Sequence, residues 1–308
     1  MSYFAICILP MIFFSVNGLK YKHMNWEDLP TDCGTTIYSN TNYYNSKDKS
    51  NNLASIGEFP WLARIGLHDE NTNDLFFYCT GSLIHVDYVI TAAHCGKHSK
   101  LVRLGETNII SDIDCYRGIC APPPQDIKIK KHIFAQHCRL TNTNDLSILV
   151  LEESAKFNDF VRPICFPREP VSHHELMYEI TIVAGWSVVY SGWGTVHGSN
   201  FSSFINLKDT FSFVLDPRVC DVIYKRHLQE SELCVSYDEE VDDPCVVDSG
   251  GPLVRYAGAD KRAYIVGVAS HNLLLCHAHQ EFAAVYTDVT YFTEWVLRRI
   301  NQWLEWGA

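Results

Sequence analysis

Short runs of β-branched, aromatic and other apolar residues recur along most of the chain, separated by turn-forming residues. Such runs indicate many short strands, and their spacing favours an all-β protein built from barrels. The predicted strands lie within residues 76–84, 88–93, 100–106, 126–133 and 146–153 of the first half, and 179–186, 252–256, 263–270 and 283–289 of the second.

The C-terminal stretch has a different period. Residues 293–304, with the residue before them, place apolar side chains at 292, 296, 300 and 303/304. That spacing puts the apolar side chains on one face of a helix. We therefore expect a one-sided helix after the last strand.

The N-terminus carries an apolar run that is too short for a membrane span and is interrupted by proline, over residues 3–16. Val16 and Gly18 are small residues at the spacing that signal peptidase reads, so residues 1–18 are predicted to be a signal peptide. The alternative interpretation is that the apolar run forms a buried first strand. No later run approaches the roughly 20 apolar residues of a membrane helix. We therefore expect a secreted chain with no membrane partner.

Residues 19–47 are polar and lack hydrophobic periodicity, which predicts a mobile pro-segment or linker before a domain at 48–308. The full chain of 308 residues is 47% hydrophobic and 20% charged, an ordinary globular composition for one large domain or two small ones. A formal charge of −11 argues against nucleic acid as a partner.

The chain has twelve cysteines, and loss of Cys7 with the signal peptide would leave eleven. An odd number in an oxidising compartment leaves one thiol without a disulfide partner. A zinc site is the competing interpretation of so many cysteines and histidines. The absence of any CxxC pair in the sequence argues against it, so no metal and no cofactor are expected.

Three short motifs carry candidate chemistry. Ser249 lies in DDPCVVDSGGPL at 242–253, where the two following glycines free the backbone for a tight turn. TAAHC at 91–95 supplies His94, and NDLSIL at 144–149 supplies Asp145. A serine nucleophile needs an imidazole to take its proton, and the imidazole needs a carboxylate to fix its tautomer.

In this order the three motifs resemble the trypsin/chymotrypsin family of serine proteases, over roughly residues 48–306. The resemblance implies two six-stranded antiparallel β-barrels and a C-terminal helix, with the active site between the barrels. Residues 54–67 are similar to the first strand of the family. It also implies that Ser249 is the nucleophile, His94 the general base and then acid, and Asp145 the orienting carboxylate. The first barrel would supply His94 and Asp145, and the second would supply Ser249.

The same resemblance assigns a substrate pocket. Asp243 matches the trypsin-type position at the bottom of the pocket, where a carboxylate would pair with substrate Arg or Lys. The alternative is that Asp243 is a solvated loop acid beside Asp242. Ser270 matches a serine that lines the cleft near the aspartate. Asn272 and Ala284 stand where the family has pocket-wall glycines, so both are expected to narrow the pocket, and His271 replaces a tryptophan of that wall.

Two further positions depart from the family pattern. The oxyanion hole would be formed by the N–H groups of Val247 and Ser249, but Val247 replaces a glycine, and a β-branched residue resists positive φ. Activation would follow cleavage after Lys47, whose new N-terminus, Asp48, would have to insert beside Asp248. A second buried carboxylate there is unfavourable because like charges repel in a low dielectric.

By similarity to the family, the cysteines pair as Cys33–Cys165, Cys79–Cys95, Cys115–Cys120, Cys220–Cys234 and Cys245–Cys276, which leaves Cys138 unpaired. The LPTDCG sequence at 29–34 is similar to the linker of arthropod clip-domain proteases, although the clip domain itself has no room in this sequence. The sequon NFS makes Asn200 a candidate glycosylation site.

Two functions therefore compete. One is a secreted endopeptidase that cuts after Arg or Lys, with weak activity. The other is a non-enzymatic homologue that acts as a cofactor or decoy in an extracellular cascade. The expected partners are protein or peptide substrates, serpin-type inhibitors and other secreted proteases, by analogy alone.

Overall fold

The computed structural model describes residues 29–39, 53–68, 74–111, 113–136, 143–177, 179–186, 206–237, 248–271 and 283–306. In these residues the first half of the chain forms the strands β1 (Leu62–His68), β2 (Leu75–His85), β3 (Tyr88–Thr91), β4 (Leu101–Leu104), β5 (Cys115–Tyr116), β6 (Ile119–Cys120), β7 (Gln125–Phe134) and β8 (Ser147–Leu151). The second half forms β9 (Ile180–Gly185), β10 (Lys208–Leu215), β11 (Glu232–Tyr237), β12 (Pro252–Ala257), β13 (Arg262–His271) and β14 (Ala283–Asp288). The helices are α1 (Ala93–Gly96), α2 (His173–Leu176), α3 (Pro217–Tyr224) and α4 (Thr293–Trp306).

Twelve of these strands close into two antiparallel barrels of six strands each. The first barrel has the strand order β1-β2-β3-β8-β7-β4, and the second has the order β10-β11-β14-β13-β12-β9. The remaining two strands, β5 and β6, form a small separate hairpin. These two barrels confirm the predicted fold class. Closure of both sheets removes their edge strands.

One core cluster takes side chains from both barrels, and a second cluster is formed by the second barrel. Ile65 and Leu149 in the first barrel are fully buried, as is Leu233 in the second. The predicted C-terminal helix is confirmed as α4, and its Val296 and Ile300 are fully buried in the first core cluster. None of the helices in the described parts of the chain has both the length and the apolar character to cross a membrane.

The strand predictions differ from the structure at 54–67, and the strands β5, β6, β10 and β11 were not predicted. The apolar run at 54–67 contains a strand only from Leu62 onwards. Strand β10 was not predicted, because its inward positions are polar: Thr210 and Ser212 are buried. Ser212 shares a hydrogen bond of 2.8 Å with Thr181 on β9, which satisfies these two hydroxyls without an apolar side chain, whereas the buried Thr210 hydroxyl has no hydrogen-bond partner among the described residues. An apolar pattern alone therefore cannot reveal such a strand.

Part of the polar segment that we expected to be mobile is packed against the domain. The N–H of Ala263 donates to the carbonyl of Gly34 at 2.9 Å, and a Cys33–Cys165 disulfide fixes the neighbouring residue. The prediction of mobility is therefore wrong for residues 29–39, because a covalent bond and backbone hydrogen bonds replace the missing apolar contacts.

Candidate active site

His94 and Asp145 form a close pair that belongs to the first barrel. His94 lies in α1, directly after β3, and its Nδ1 atom is 2.7 Å from Oδ2 of Asp145. The backbone N–H of His94 donates to the other carboxylate oxygen at 2.9 Å. A carboxylate accepts only, so Nδ1 carries the proton and Nε2 of the neutral ring keeps its lone pair. The pair thus fixes the tautomer that a general base requires.

The conformation of Asn144 positions Asp145. Asn144 has a φ of 56°, in the left-handed region that asparagine tolerates better than most residues. Its side-chain amide donates to the carbonyl of Gln136 at 3.2 Å, and its own carbonyl accepts from the N–H of Leu146 at 2.9 Å. These contacts hold a tight bend just before β8, and the bend turns Asp145 inward.

The Asp145 carboxylate is fully buried and accepts a further hydrogen bond. Ser270 on β13 donates to Oδ2 at 2.6 Å, and Thr287 on β14 donates to the Asp145 carbonyl at 3.1 Å. Burial raises the pKa of Asp145, but hydrogen bonds from His94 and Ser270 and the positive charge of His94 in its protonated form outweigh burial, so the pKa is lowered. The family resemblance assigned Ser270 to the substrate cleft and did not predict its hydrogen bond to Asp145.

Ser249 lies in a tight turn that leads into β12. The N–H of Gly251 donates to the carbonyl of Asp248 at 2.9 Å and closes the turn. Gly250 has a φ of +79°, and a Cβ atom there would clash with the Thr91 hydroxyl and the Thr80 carbonyl. Only glycine allows this close approach of the two barrels, so Gly250 sets the position of the serine beside the first barrel.

The Ser249 turn is also bound to the first barrel through Thr80. The backbone N–H of Thr80 donates to the Ser249 carbonyl, and its hydroxyl donates to Oδ2 of Asp248, both at 2.9 Å. The backbone N–H of Trp186 donates to the same Asp248 oxygen at 2.7 Å, and Asp248 is only 2% exposed. Thr80 and Trp186 were not identified from the sequence, since Thr80 is separated from Asp248 by 168 positions and belongs to no motif.

No hydrogen bond joins Ser249 to His94 in the described structure. Nε2 of His94 instead lies 3.6 Å from Sγ of Cys95. The backbone N–H of Ser249 likewise makes no hydrogen bond to a described residue. Cys79, His94 and Cys95 lie close enough together to resemble a metal site, but both sulfurs are joined in a disulfide and cannot act as thiolate ligands.

The structure places the remaining site predictions as follows. Ala284 lies on β14, is 2% exposed and packs in the second core cluster. Disulfides join Cys33 to Cys165, Cys79 to Cys95, Cys115 to Cys120 and Cys220 to Cys234. The side chain of His271 and the residues Lys47, Asp48, Cys138, Asn200, Asp243, Cys245, Val247, Asn272 and Cys276 lie outside the described structure.

Comparison with known proteins places this fold and site in a family. The family model described as Trypsin matches residues 49–296, and the chain belongs to that family. The chain is 32% identical to CLIP domain-containing serine protease HP8 of Bombyx mori, over 80% of this chain and 68% of that protein. It is 31% identical to phenoloxidase-activating factor 3 of Holotrichia diomphalia, over 80% of this chain and 70% of that protein.

A solved structure of an insect clip serine protease also matches this chain. The crystal structure of the Drosophila Grass clip serine protease of the Toll pathway matches with a TM-score of 0.70 and 26% identity, over 87% of this chain and 74% of that one. The chain is therefore a trypsin-like homologue of insect clip-domain serine proteases.

Proposed function

We propose that the protein is a secreted serine endopeptidase that cleaves peptide bonds after Arg or Lys. The observation that carries this proposal is the His94–Asp145 pair, at 2.7 Å, supported by Ser270. In the proposed mechanism Ser249 attacks the peptide carbonyl and forms an acyl-enzyme, while His94 takes the serine proton and then gives it to the leaving amine. Asp145 keeps the imidazole in the required tautomer and stabilises the imidazolium.

The resting geometry requires one local movement. Nε2 of His94 must leave its position 3.6 Å from the Cys95 sulfur and approach the Ser249 hydroxyl. Catalytic hydrogen bonds are often long or poorly aligned without substrate and tighten when substrate binds. The exposed side of the ring, with 31% of the side chain accessible, leaves room for this rotation.

Transition-state stabilisation and specificity would come from residues around Ser249. The N–H groups of Ser249 and Val247 would hold the oxyanion, and Val247 in place of glycine weakens this hole, which favours weak activity. Asp243 would bind the substrate cation at the pocket floor. Asn272 and Ala284 would make the pocket narrow.

The remaining properties follow from the same assignment. Four disulfides among the described residues favour an oxidising compartment, which supports the proposal of secretion after removal of residues 1–18. The natural substrates would be proteins, and other secreted proteases and serpin-type inhibitors would be partners. Asn200 would carry the glycan if this site is modified, and Cys245–Cys276 would be the fifth disulfide.

A second candidate is a non-enzymatic homologue that serves as a cofactor or decoy. The missing hydrogen bond between Ser249 and His94 in the described structure favours it, together with Val247 at the oxyanion position. In this case the cleft would bind a partner without cleaving it.

Labelling with a fluorophosphonate probe separates the two functions. The endopeptidase predicts labelling of the purified chain that disappears in Ser249→Ala. If labelling is also absent in the parent chain, both intact and after cleavage at Lys47, the non-enzymatic function is correct. Chromogenic peptides then test specificity: cleavage should be faster after Arg than after Phe or Leu, and Asp243→Ala should remove that preference.

A further inference from the structure

A buried cation lies beside the Ser249 turn. Arg64, in the middle of β1, is only 7% exposed. Its guanidinium carbon is 4.5 Å from the ring centroid of Phe77 and 5.5 Å from that of Trp186. It makes no hydrogen bond and no ion pair within 4.0 Å to any described residue. A buried charge is costly unless something compensates it, and the aromatic faces compensate only part of that cost.

The strand register shows which groups share the face of Arg64. Arg64 is directly opposite Thr80 on β2 and Arg103 on β4, and residues that are opposite in register project from the same face of a sheet. Arg103 is bound to Asp126 at 2.7 Å and to Glu106 at 3.3 Å. Arg64 therefore lies between one guanidinium that has carboxylate partners and one threonine that binds Asp248.

The carboxylates of Glu106, Asp248 and Asp126 act on Arg64 electrostatically, and the charge of Arg103 opposes them. Burial lowers the pKa of Arg64, while the negative charges of Glu106 and Asp248 raise it. Glu106 already forms an ion pair with Arg103. Thr80 and Trp186, two of the groups that bind Asp248, are neutral, whereas Arg64 carries a full charge.

Trp186 connects the cation with the carboxylate. Its ring faces the Arg64 guanidinium, and its backbone N–H binds Oδ2 of Asp248. Because the site is nearly closed to water, a charge there acts on Asp248 with little screening.

We propose that Arg64 is the internal counter-charge of Asp248, a positioning residue that holds the Ser249 turn in place in the uncleaved chain. This inference rests on the proposed function, since it concerns the same nucleophile. It means that a new N-terminal ammonium is not required to compensate Asp248. It also accounts for Asp48 after Lys47, because no inserting apolar N-terminus would be needed.

The test uses the full chain with Lys47→Ala, so that cleavage cannot occur there. Fluorophosphonate should label this uncleaved chain at a rate within about threefold of the rate for the chain cleaved after Lys47. A difference that small would mean that cleavage adds no buried ion pair between a new N-terminal ammonium and Asp248. Arg64→Met keeps the apolar volume and removes the charge, and we expect labelling to slow by at least about tenfold. Arg64→Lys should restore most of the rate, which a purely space-filling role would not predict.

Arg103→Met is the matched control. It removes a guanidinium of the same size from the same face, next to the same Phe77 ring, but one whose partners are Asp126 and Glu106. Its labelling rate should stay within about twofold of the parent, because it does not face Asp248. Equal losses in Arg64→Met and Arg103→Met would overturn the inference.

Other outcomes distinguish this inference from the proposed function. Labelling that appears only after cleavage would overturn the role of Arg64 and leave the endopeptidase intact. Labelling in neither form would overturn the endopeptidase, and thermal unfolding then decides the role of Arg64. If Arg64 and Asp248 are coupled, the double variant Arg64→Met/Asp248→Asn should lose less in Tm than the two single variants together, by at least about 3 °C. A Tm loss in the double variant equal to the sum of the two single losses would refute the coupling. So would a double variant that fails to fold while both single variants fold.

Discussion

Ser270 supports the catalytic carboxylate, and Ser270→Ala tests how much that support contributes. The change removes a hydroxyl that donates to Oδ2 of Asp145 at 2.6 Å, while both His94 contacts remain. A hydrogen bond to a charged group contributes about 1.5–3 kcal/mol. Ser270 is partly exposed, so water can replace part of the donor, and we expect a loss of about 2 kcal/mol. For a domain of this size that corresponds to a fall in Tm of about 4–8 °C.

Thr287→Val is the matched control for Ser270→Ala. Thr287 also donates to Asp145, but to its main-chain carbonyl at 3.1 Å and not to the carboxylate. Valine has nearly the same shape, so the change removes one neutral hydrogen bond of about 1 kcal/mol, or about 2–4 °C. This loss should not depend on the charge of Asp145.

The pH dependence separates the two variants. The native pKa of Asp145 is below its ordinary value of 3.8, so its ionised form adds stability above that value, and the contribution is lost as pH falls through the native pKa. Ser270→Ala reduces this depression of the pKa. The Tm difference between parent and Ser270→Ala should therefore be constant near neutral pH and shrink below about pH 4. Thr287→Val should keep a constant difference.

Differential scanning calorimetry across this pH range provides the measurement. A Ser270→Ala difference that does not shrink in acid would refute the proposed stabilisation of the ionised carboxylate. So would a Thr287→Val variant with the same pH dependence.

Three further changes test other parts of the site. Asp145→Asn should lower kcat by about 10⁴ with little change in KM, because an amide favours the wrong imidazole tautomer; steady-state kinetics on an Arg peptide would show it. Replacing Cys33 and Cys165 together by alanine should lower stability by about 2–5 kcal/mol in a denaturant titration, because the bond closes a long loop. Val247→Gly should raise kcat by about 10²–10³ if Val247 keeps its N–H away from the oxyanion, and an unchanged kcat would show that this donor already works.

The sequence predicted the parts of the site that lie in short motifs. His94, Asp145 and Ser249 each stand in a local pattern whose residues also shape the local backbone, such as the left-handed Asn144 and the positive φ of Gly250. The barrels were predictable because apolar alternation marks most strands. Strand β10 was missed because the polar residues Thr210 and Ser212 occupy buried inward positions where the pattern requires apolar side chains.

The contacts that position the motifs could not be read from the sequence. Thr80 binds Asp248, and Arg64 lies opposite Thr80, only because β1 and β2 pair in one register and the barrels meet at that point. Ser270 reaches Asp145 from the other barrel, 125 positions along the chain. Such contacts depend on tertiary packing, which no local pattern encodes.

The central claim is that Ser249, His94 and Asp145 form a working protease site. The most direct measurement is kcat/KM for an Arg chromogenic peptide, with Ser249→Ala and His94→Ala prepared from the same expression host. The account predicts slow but measurable hydrolysis in the parent chain and a loss to background in both variants. Hydrolysis that persists in the Ser249→Ala variant would contradict this account. So would the absence of hydrolysis in the Val247→Gly variant, which keeps Ser249, His94 and Asp145.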